Sequence, residues 1–260
     1  MTSVYDYTSD IGWVLYRGPS EIGDGSDIVA ILTLGSSNPK TGNMAQVYIL
    51  QTDETPLSAV QNNRNSGSCG TCPLQGRGIT LPNGQPKIEG RGCYVNRGQG
   101  SLSVYLAWQR GRYATYVPRK HNRLLRRRRI RWGADGDPAA IPTSIVQRVS
   151  RASAGCNAYT HAWETMHGAR RRAWQRLAMA SCHNAEMRVR AQSLGWRTFT
   201  VVPIGREDLT PADDLQCPAY THSIQCADCG LCAGLSRPAR SIWIEAHAKT
   251  GANVALYQLG

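Results

Sequence analysis

Ile130-Arg131-Trp132-Gly133-Ala134-Asp135-Gly136-Asp137-Pro138 is a short apolar run that stops on glycines, aspartates and a proline. Ile130 to Gly133 reads as a strand. Gly136-Asp137-Pro138 reads as the turn that opens a helix, with Asp137 as N-cap and Pro138 in the first helical position. The helix is expected over Ala139 to Ala154. Cys156 to Trp163 then reads as a strand, His167 to Arg176 as a helix, Leu177 to Ser181 as a strand, and Ala185 to Leu194 as a helix closed by Gly195. A further strand runs from Trp196 to Val202 and ends at Pro203. Strands alternating with helices of this length imply right-handed βαβ units, hence an α/β fold with a parallel sheet or a partial or complete β/α barrel.

Towards the amino terminus, Trp13 to Tyr16, Ile28 to Leu34 and Ala45 to Leu50 read as two or three strands. Gly18-Pro19, Gly23-Asp24-Gly25 and Asn38-Pro39-Lys40-Thr41-Gly42 supply the turns between them. From Gln61 to Arg97 the chain is rich in Gly, Asn, Pro, Ser and Cys, poor material for a core unless an ion organises it. Ser101 to Trp108 has apolar residues at helical intervals. The expected organisation is an N-terminal β segment (1–60), a Cys-rich metal loop (61–100), a β/α-barrel core (101–210) and a C-terminal cysteine cluster with a closing strand (211–260). One compact domain would contain all four. The doubled Tyr-Thr-His, at 159–161 and 220–222, is read as coincidence.

In β/α folds chemistry sits at the carboxyl ends of the strands. That rule selects Asp135 and Asp137, then Tyr159, Thr160 and His161, then the stretch Ala180 to His183. Asp135 and Asp137 flank a glycine, so both carboxylates could face one cavity and one could carry a proton; Asp137 could equally be a plain helix cap. His161 could act as a base or a metal ligand, or be a hydrogen-bonded core residue.

Seven of the nine cysteines fall into two groups. Cys69, Cys72 and Cys93 form the first, Cys217, Cys226, Cys229 and Cys232 the second. Thiolates suit zinc and iron–sulfur clusters, and a Cys-x-x-Cys spacing lets one backbone turn present two of them to the same ion. Cys226, Cys229 and Cys232 resemble an iron–sulfur run, with Cys217-Pro218 as a remote fourth ligand. Zinc would make the same group a structural clip, with His222 or His247 as substitute ligands. The first group either recruits a fourth ligand from His121, Cys156 or Cys182, or leaves one position open as a catalytic metal needs.

Lys and Arg number 30 against 18 Asp and Glu, a net charge of +12, which favours a polyanionic partner such as DNA or RNA. The densest charge is Arg123 with Arg126, Arg127, Arg128, Arg129 and Arg131, a candidate phosphate-binding strip whose bland alternative is a solvated connector. Arg170 to Arg172 read as the exposed face of a helix. No apolar run reaches the ~20 residues of a membrane span, and Met1 to Asp6 lack the features of a signal peptide. The expectation is a cytoplasmic protein with no membrane partner, in the host cytoplasm if phage-encoded. Its oligomeric state is left open.

From about Cys69 to Pro203 the chain resembles radical S-adenosylmethionine enzymes. In that family a three-cysteine loop after the first strand holds a [4Fe–4S] cluster with one open iron, and a Gly-Gly-Glu-Pro-like turn after the next strand contacts the methionine amine. The resemblance implies Cys69, Cys72 and Cys93 as cluster ligands and Gly133, Asp135, Gly136 and Asp137 in that turn, with Tyr159 and Thr160 at the following strand end. The cysteine spacing here is two residues and then twenty, against three and then two in the family. The second cysteine group would correspond to an auxiliary-cluster region. The chain is also similar to uncharacterised phage-encoded proteins carrying Asn-Pro-Lys-Thr-Gly, Cys-Pro-Leu and Gly-Asp-Pro. The implied activity is modification of a nucleic acid base or nucleotide by an iron–sulfur enzyme using S-adenosylmethionine. Two alternatives stay open. One resembles tRNA-guanine transglycosylases and their phage relatives acting on DNA, barrels with zinc and paired aspartates, here Asp135 and Asp137. The other is a non-catalytic zinc protein that binds DNA.

Overall fold

The computed structural model describes residues 11–35, 38–205 and 212–246. The described residues begin with β1 (Gly12–Pro19), β2 (Asp27–Thr33) and β3 (Ala45–Gln51), each antiparallel to the one before. β2 is apolar from Ile28 to Leu32 because both its faces are covered there. Ile28, Ala30 and Leu32 enter the main core, while Val29 and Ile31 pack with Val104 and Tyr105 of a later helix.

After β3 come two short helices, α1 (Pro56–Gln61) and α2 (Ser66–Cys69). Thr55 caps α1 with its side chain and Pro56 opens it, the arrangement in which proline costs no hydrogen bond. The Gly-rich segment beyond Cys72 is an ordered hairpin, β4 (Arg77–Thr80) against β5 (Pro86–Glu89). α3 (Gly100–Gln109) then covers the open face of β2 and β3. A two-residue strand, β6 (Ala114–Thr115), leads into α4 (Pro118–Leu125).

The alternating half follows as β7 (Ile130–Asp135), α5 (Thr143–Arg151), β8 (Cys156–Asn157), β9 (Tyr159–Thr160), α6 (Gly168–Leu177), β10 (Met179–Cys182), α7 (Ala185–Ser193) and β11 (Thr198–Val202). β12 (Leu215–Gln216), α8 (Pro218–Thr221), α9 (Cys226–Cys229) and β13 (Ile242–Glu245) complete the described chain. One sheet has the order β6-β1-β2-β3-β7-β8 and a second β12-β13-β11-β10-β9. From β3 onward every pairing in these two sheets is parallel. β8 and β9 are separated only by Ala158, whose N–H donates to the Cys232 carbonyl (3.1 Å) and whose carbonyl accepts from Met179 (3.0 Å). The chain thus crosses there from one sheet to the other.

The molecule is mixed α/β with mostly parallel sheets, as the strand–helix alternation predicts. A complete barrel is not formed: among the described residues no strand pair closes the sheets. The physical reason is that β3 is followed outward by the antiparallel β2 and β1, and the other end finishes on the two-residue β12. The helix expected over Ala139 to Ala154 is also interrupted. Pro142 disfavours helical backbone at Ile141, which is extended (φ −93°, ψ 143°), so a 3-10 turn over Pro138–Ala140 precedes α5. Among the described residues no helix is long and apolar enough to cross a membrane.

Candidate metal and substrate site

The first cysteine group is assembled by backbone bonds. Cys69 ends α2, and the Cys72 N–H donates back to its carbonyl (3.2 Å). The Leu74 carbonyl accepts from both Gly92 (3.0 Å) and Cys93 (2.7 Å), so the β4–β5 hairpin is an excursion whose end returns beside its start. This is how Cys93, separated from Cys72 by twenty residues, joins the other two. All three thiols line one cavity of about 110 Å³, with Asp135, His161 and Ser181. Burial, then the neighbouring Cys69, pushes the Cys72 thiol well above its ordinary pKa, and burial raises that of Cys93 against the opposing charge of Arg97.

The turn after β7 is pinned to this loop. Asp137 N–H donates to the Ser68 carbonyl, next to Cys69, at 2.7 Å. Gly136 is required there: its φ is +81°, and a Cβ would lie 2.5 Å from the Ile49 carbonyl oxygen, a contact no side chain tolerates. The two aspartates have separate jobs. Asp137 Oδ1 accepts from Ala139 N–H (2.9 Å), and Oδ2 accepts from His161 N–H (2.7 Å) and the Thr160 hydroxyl (3.1 Å). Burial raises its pKa while these bonds oppose the rise. Asp137 and Thr160 therefore tie the β7 turn to the end of β9. Asp135 Oδ1 pairs with Arg97 at 3.0 Å, both groups buried. Its Oδ2 is buried with no hydrogen-bond partner among the described residues.

Arg97 is a site residue that the sequence did not reveal. Its guanidinium also donates to Cys69 Sγ at 2.9 Å. Burial opposes its charge, but Asp135 and Cys69 beside it raise its pKa. His183, in the strand-end stretch that the sequence selects, places its Nε2 2.8 Å from His161 Nε2 with the rings stacked at 17°. Burial holds both imidazoles below their ordinary pKa, His161 further through His183. The only advance signal for either histidine is its place at a strand end.

The second cysteine group lines a neighbouring cavity of about 150 Å³. Tyr94, Arg131, Tyr159 and Phe199 belong to both cavities, and Cys72, Cys93, Cys217 and Cys232 all pack against or within one apolar cluster with Met179, Phe199 and Ile242. The two groups therefore face each other across a shared wall. Burial raises Cys217 and Cys226, and pushes Cys232 up to about 12. The Asn38-to-Gly42 motif finds its role here. The Lys40 and Thr41 carbonyls accept from Cys226 N–H (3.0 Å) and Ala227 N–H (3.2 Å), so this turn docks on α9. Behind it, Arg197 donates to the carbonyls of Leu231 (2.9 Å) and Gly234 (2.8 Å).

The candidate fourth ligands lie elsewhere. His121 accepts from Val117 N–H and stacks on Trp13 (centroids 4.4 Å apart); Cys182 is a core thiol pushed up to about 12 by burial; Cys156 lines a different cleft. None lines the first cysteine cavity. His222 is exposed and paired with Thr221 (2.6 Å), and His247 lies outside the described residues. Among the described residues no group of three His, Cys, Asp or Glu side chains forms a ready-made metal site.

The arginine strip is contiguous in sequence but not in role. Arg123, Arg126 and Arg127 are exposed on and just after α4. Arg128 donates to the Leu34 carbonyl (2.9 Å) and to Asn43, and Arg129 to the Gly230 carbonyl (3.3 Å). Arg131 turns into the shared wall. Comparison with known proteins identifies nothing: no family model, curated protein or solved structure matches the chain.

Proposed function

We propose that the protein is an iron–sulfur enzyme of the radical S-adenosylmethionine type, built on a partial β/α barrel, that modifies a nucleic acid base or nucleotide. The observation that carries this reading is the hydrogen bond from Asp137 to Ser68: it joins the strand-end Gly-Ala-Asp-Gly-Asp-Pro turn to a loop whose three thiols share one cavity. The donor set suits the cofactor, because three thiols line this cavity and no fourth cysteine does, which would leave one metal position for a substrate. Cys69, Cys72 and Cys93 would hold the cluster. The unpartnered Asp135 Oδ2 is an acceptor suited to the ligand's ammonium group. Bound there, the cluster would supply the electron that generates a radical from S-adenosylmethionine.

This chain's own residues do the rest. Asp135 and Asp137 hold Arg97 and the β7 turn, and His161 presents an imidazole to the cavity. Arg131 with the rings of Tyr94, Tyr159 and Phe199 forms a wall suited to a planar base bearing an anionic group. Cys217, Cys226, Cys229 and Cys232 would hold a second cluster, or a zinc ion, since four thiols complete a structural site. The transglycosylase alternative is weakened because neither aspartate is a free pair member: Asp137 has both oxygens bonded and Asp135 is held by Arg97.

The test is cleavage of S-adenosylmethionine by protein reconstituted anaerobically with iron and sulfide and reduced with dithionite. Methionine and 5′-deoxyadenosine are expected from the parent and not from Cys69→Ala. Release of free guanine from DNA or tRNA without that cleavage would establish the transglycosylase reading instead.

A further inference from the structure

We propose that a cleft on the opposite face of β8 grips the phosphodiester backbone of a nucleic acid. The cleft measures about 730 Å³ and shares no lining residue with either cysteine cavity. Cys156 lines it, while the adjacent Asn157 lines the second cysteine cavity, as the alternation of side chains along a strand requires.

Four arginines from four parts of the chain converge on it. Arg129 precedes β7, Arg151 ends α5, Arg176 is in the last turn of α6 and Arg237 follows the 3-10 turn Gly234–Ser236. No Asp or Glu lines the cleft, and among the described residues none of the four is in a carboxylate ion pair. Room for the Arg129 guanidinium is made by two glycines, since a Cβ on Gly155 or Gly230 would lie 2.9 or 2.4 Å from it. Arg197 fixes the wall that carries Arg237 by holding the carbonyls of Leu231, Gly234 and Arg237.

Helix ends explain only part of this charge. The last carbonyls of α5 and α6 carry partial negative charge that Arg151 and Arg176 offset, but Arg129 and Arg237 stand on no helix. The surplus positive charge calls for an anion, and the planar guanidinium fork matches phosphate oxygens. No aromatic side chain lines the cleft, so nothing there would stack a base. The chemistry is that of sequence-independent backbone contact, and it does not depend on which metal the cysteines bind.

The experiment is fluorescence anisotropy of the full chain with duplex and single-stranded oligonucleotides of mixed sequence, DNA and RNA, over a range of salt. Parent protein is compared with Arg151→Gln/Arg176→Gln/Arg237→Gln and with the exposed pair Arg126→Gln/Arg127→Gln. The parent is expected to bind at least one polymer. The triple variant, folded by circular dichroism, is expected to bind at least tenfold more weakly, with a log–log salt slope on duplex DNA shallower by about 0.9 for each contact removed. The pair variant is expected to change less. Parent that binds no polymer, a triple variant with parental affinity and slope, or an equal effect from the pair would overturn the proposal. So would full competition by inorganic phosphate or a mononucleotide at equal phosphate concentration, which would make the cleft a small-anion site.

Discussion

At the scale of single residues the site depends on a few buried polar contacts whose partners have no substitute. Arg97 and Asp135 are 4% and 2% exposed, so removing one leaves the other charged in a poorly solvated place. Asp135→Asn is expected to lower stability by about 3–5 kcal/mol. The exposed Arg64–Asp53 pair gives the contrast, with Asp53→Asn expected to change stability by less than about 1 kcal/mol. Urea unfolding of both variants measures the difference, and equal effects would contradict it. The His161–His183 pair gives a pH signature. Burial depresses both imidazoles, so below the ordinary value of ~6.5 the unfolded chain takes up protons that the folded chain does not, and stability falls as pH falls. His183→Asn is expected to make that decline shallower by at most about 1.4 kcal/mol per pH unit. Denaturant midpoints between about pH 6.5 and pH 4.5 would show it, and an unchanged slope would exclude His183 as a contributor.

At the scale of elements the β7 turn and the cysteine loop behave as one piece, because Asp137 bonds to Ser68 and Gly136 fits against Ile49. Gly136→Ala forces a Cβ into that contact at a positive φ and is expected to destabilise by about 1–3 kcal/mol, with a lower iron content than Gly25→Ala. Gly25 also has a positive φ (72°), but a Cβ there would find its nearest atom at 4.0 Å, so equal iron contents would contradict a coupling between the turn and the cysteine loop. The elements themselves were largely legible in the sequence. Strands β1 to β3 and the order from β7 to β11 follow from local apolar periodicity and from Gly and Pro punctuation. The break between the 3-10 turn and α5 is implied by Pro142 before the helix. The β4–β5 hairpin was hidden because its Gly, Pro and Asn content reads as loop, and its pairing depends on Leu74 capturing Gly92 and Cys93. Arg97 was hidden for a related reason: it belongs to no motif and matters only through Asp135 and Cys69, both distant in sequence. His183 was marked by its place at a strand end, but its pairing with His161 was not legible.

At the scale of the whole molecule, the parallel strands bring two cysteine groups, separated by more than a hundred residues, to the two sides of one wall. Net charge pointed to a polyanion but not to its place. The arginine strip is dispersed by the fold, whereas Arg129, Arg151, Arg176 and Arg237 are gathered by it. The second group also holds its loop through Asn38 to Gly42 and Arg197, so removal of the metal proposed there is expected to increase amide exchange across residues 226–240 while leaving β2 and β3 protected. The most direct measurement is iron, acid-labile sulfide and zinc content with electron paramagnetic resonance. One anaerobic preparation each of the parent, of Cys69→Ala/Cys72→Ala/Cys93→Ala and of Cys226→Ala/Cys229→Ala suffices. The parent should contain iron and sulfide with a reducible cluster signal, the amino-terminal variant should lose that signal, and the carboxyl-terminal variant should keep it. A parent with no iron, or an amino-terminal variant with the full parental signal, would contradict the assignment of Cys69, Cys72 and Cys93 as cluster ligands.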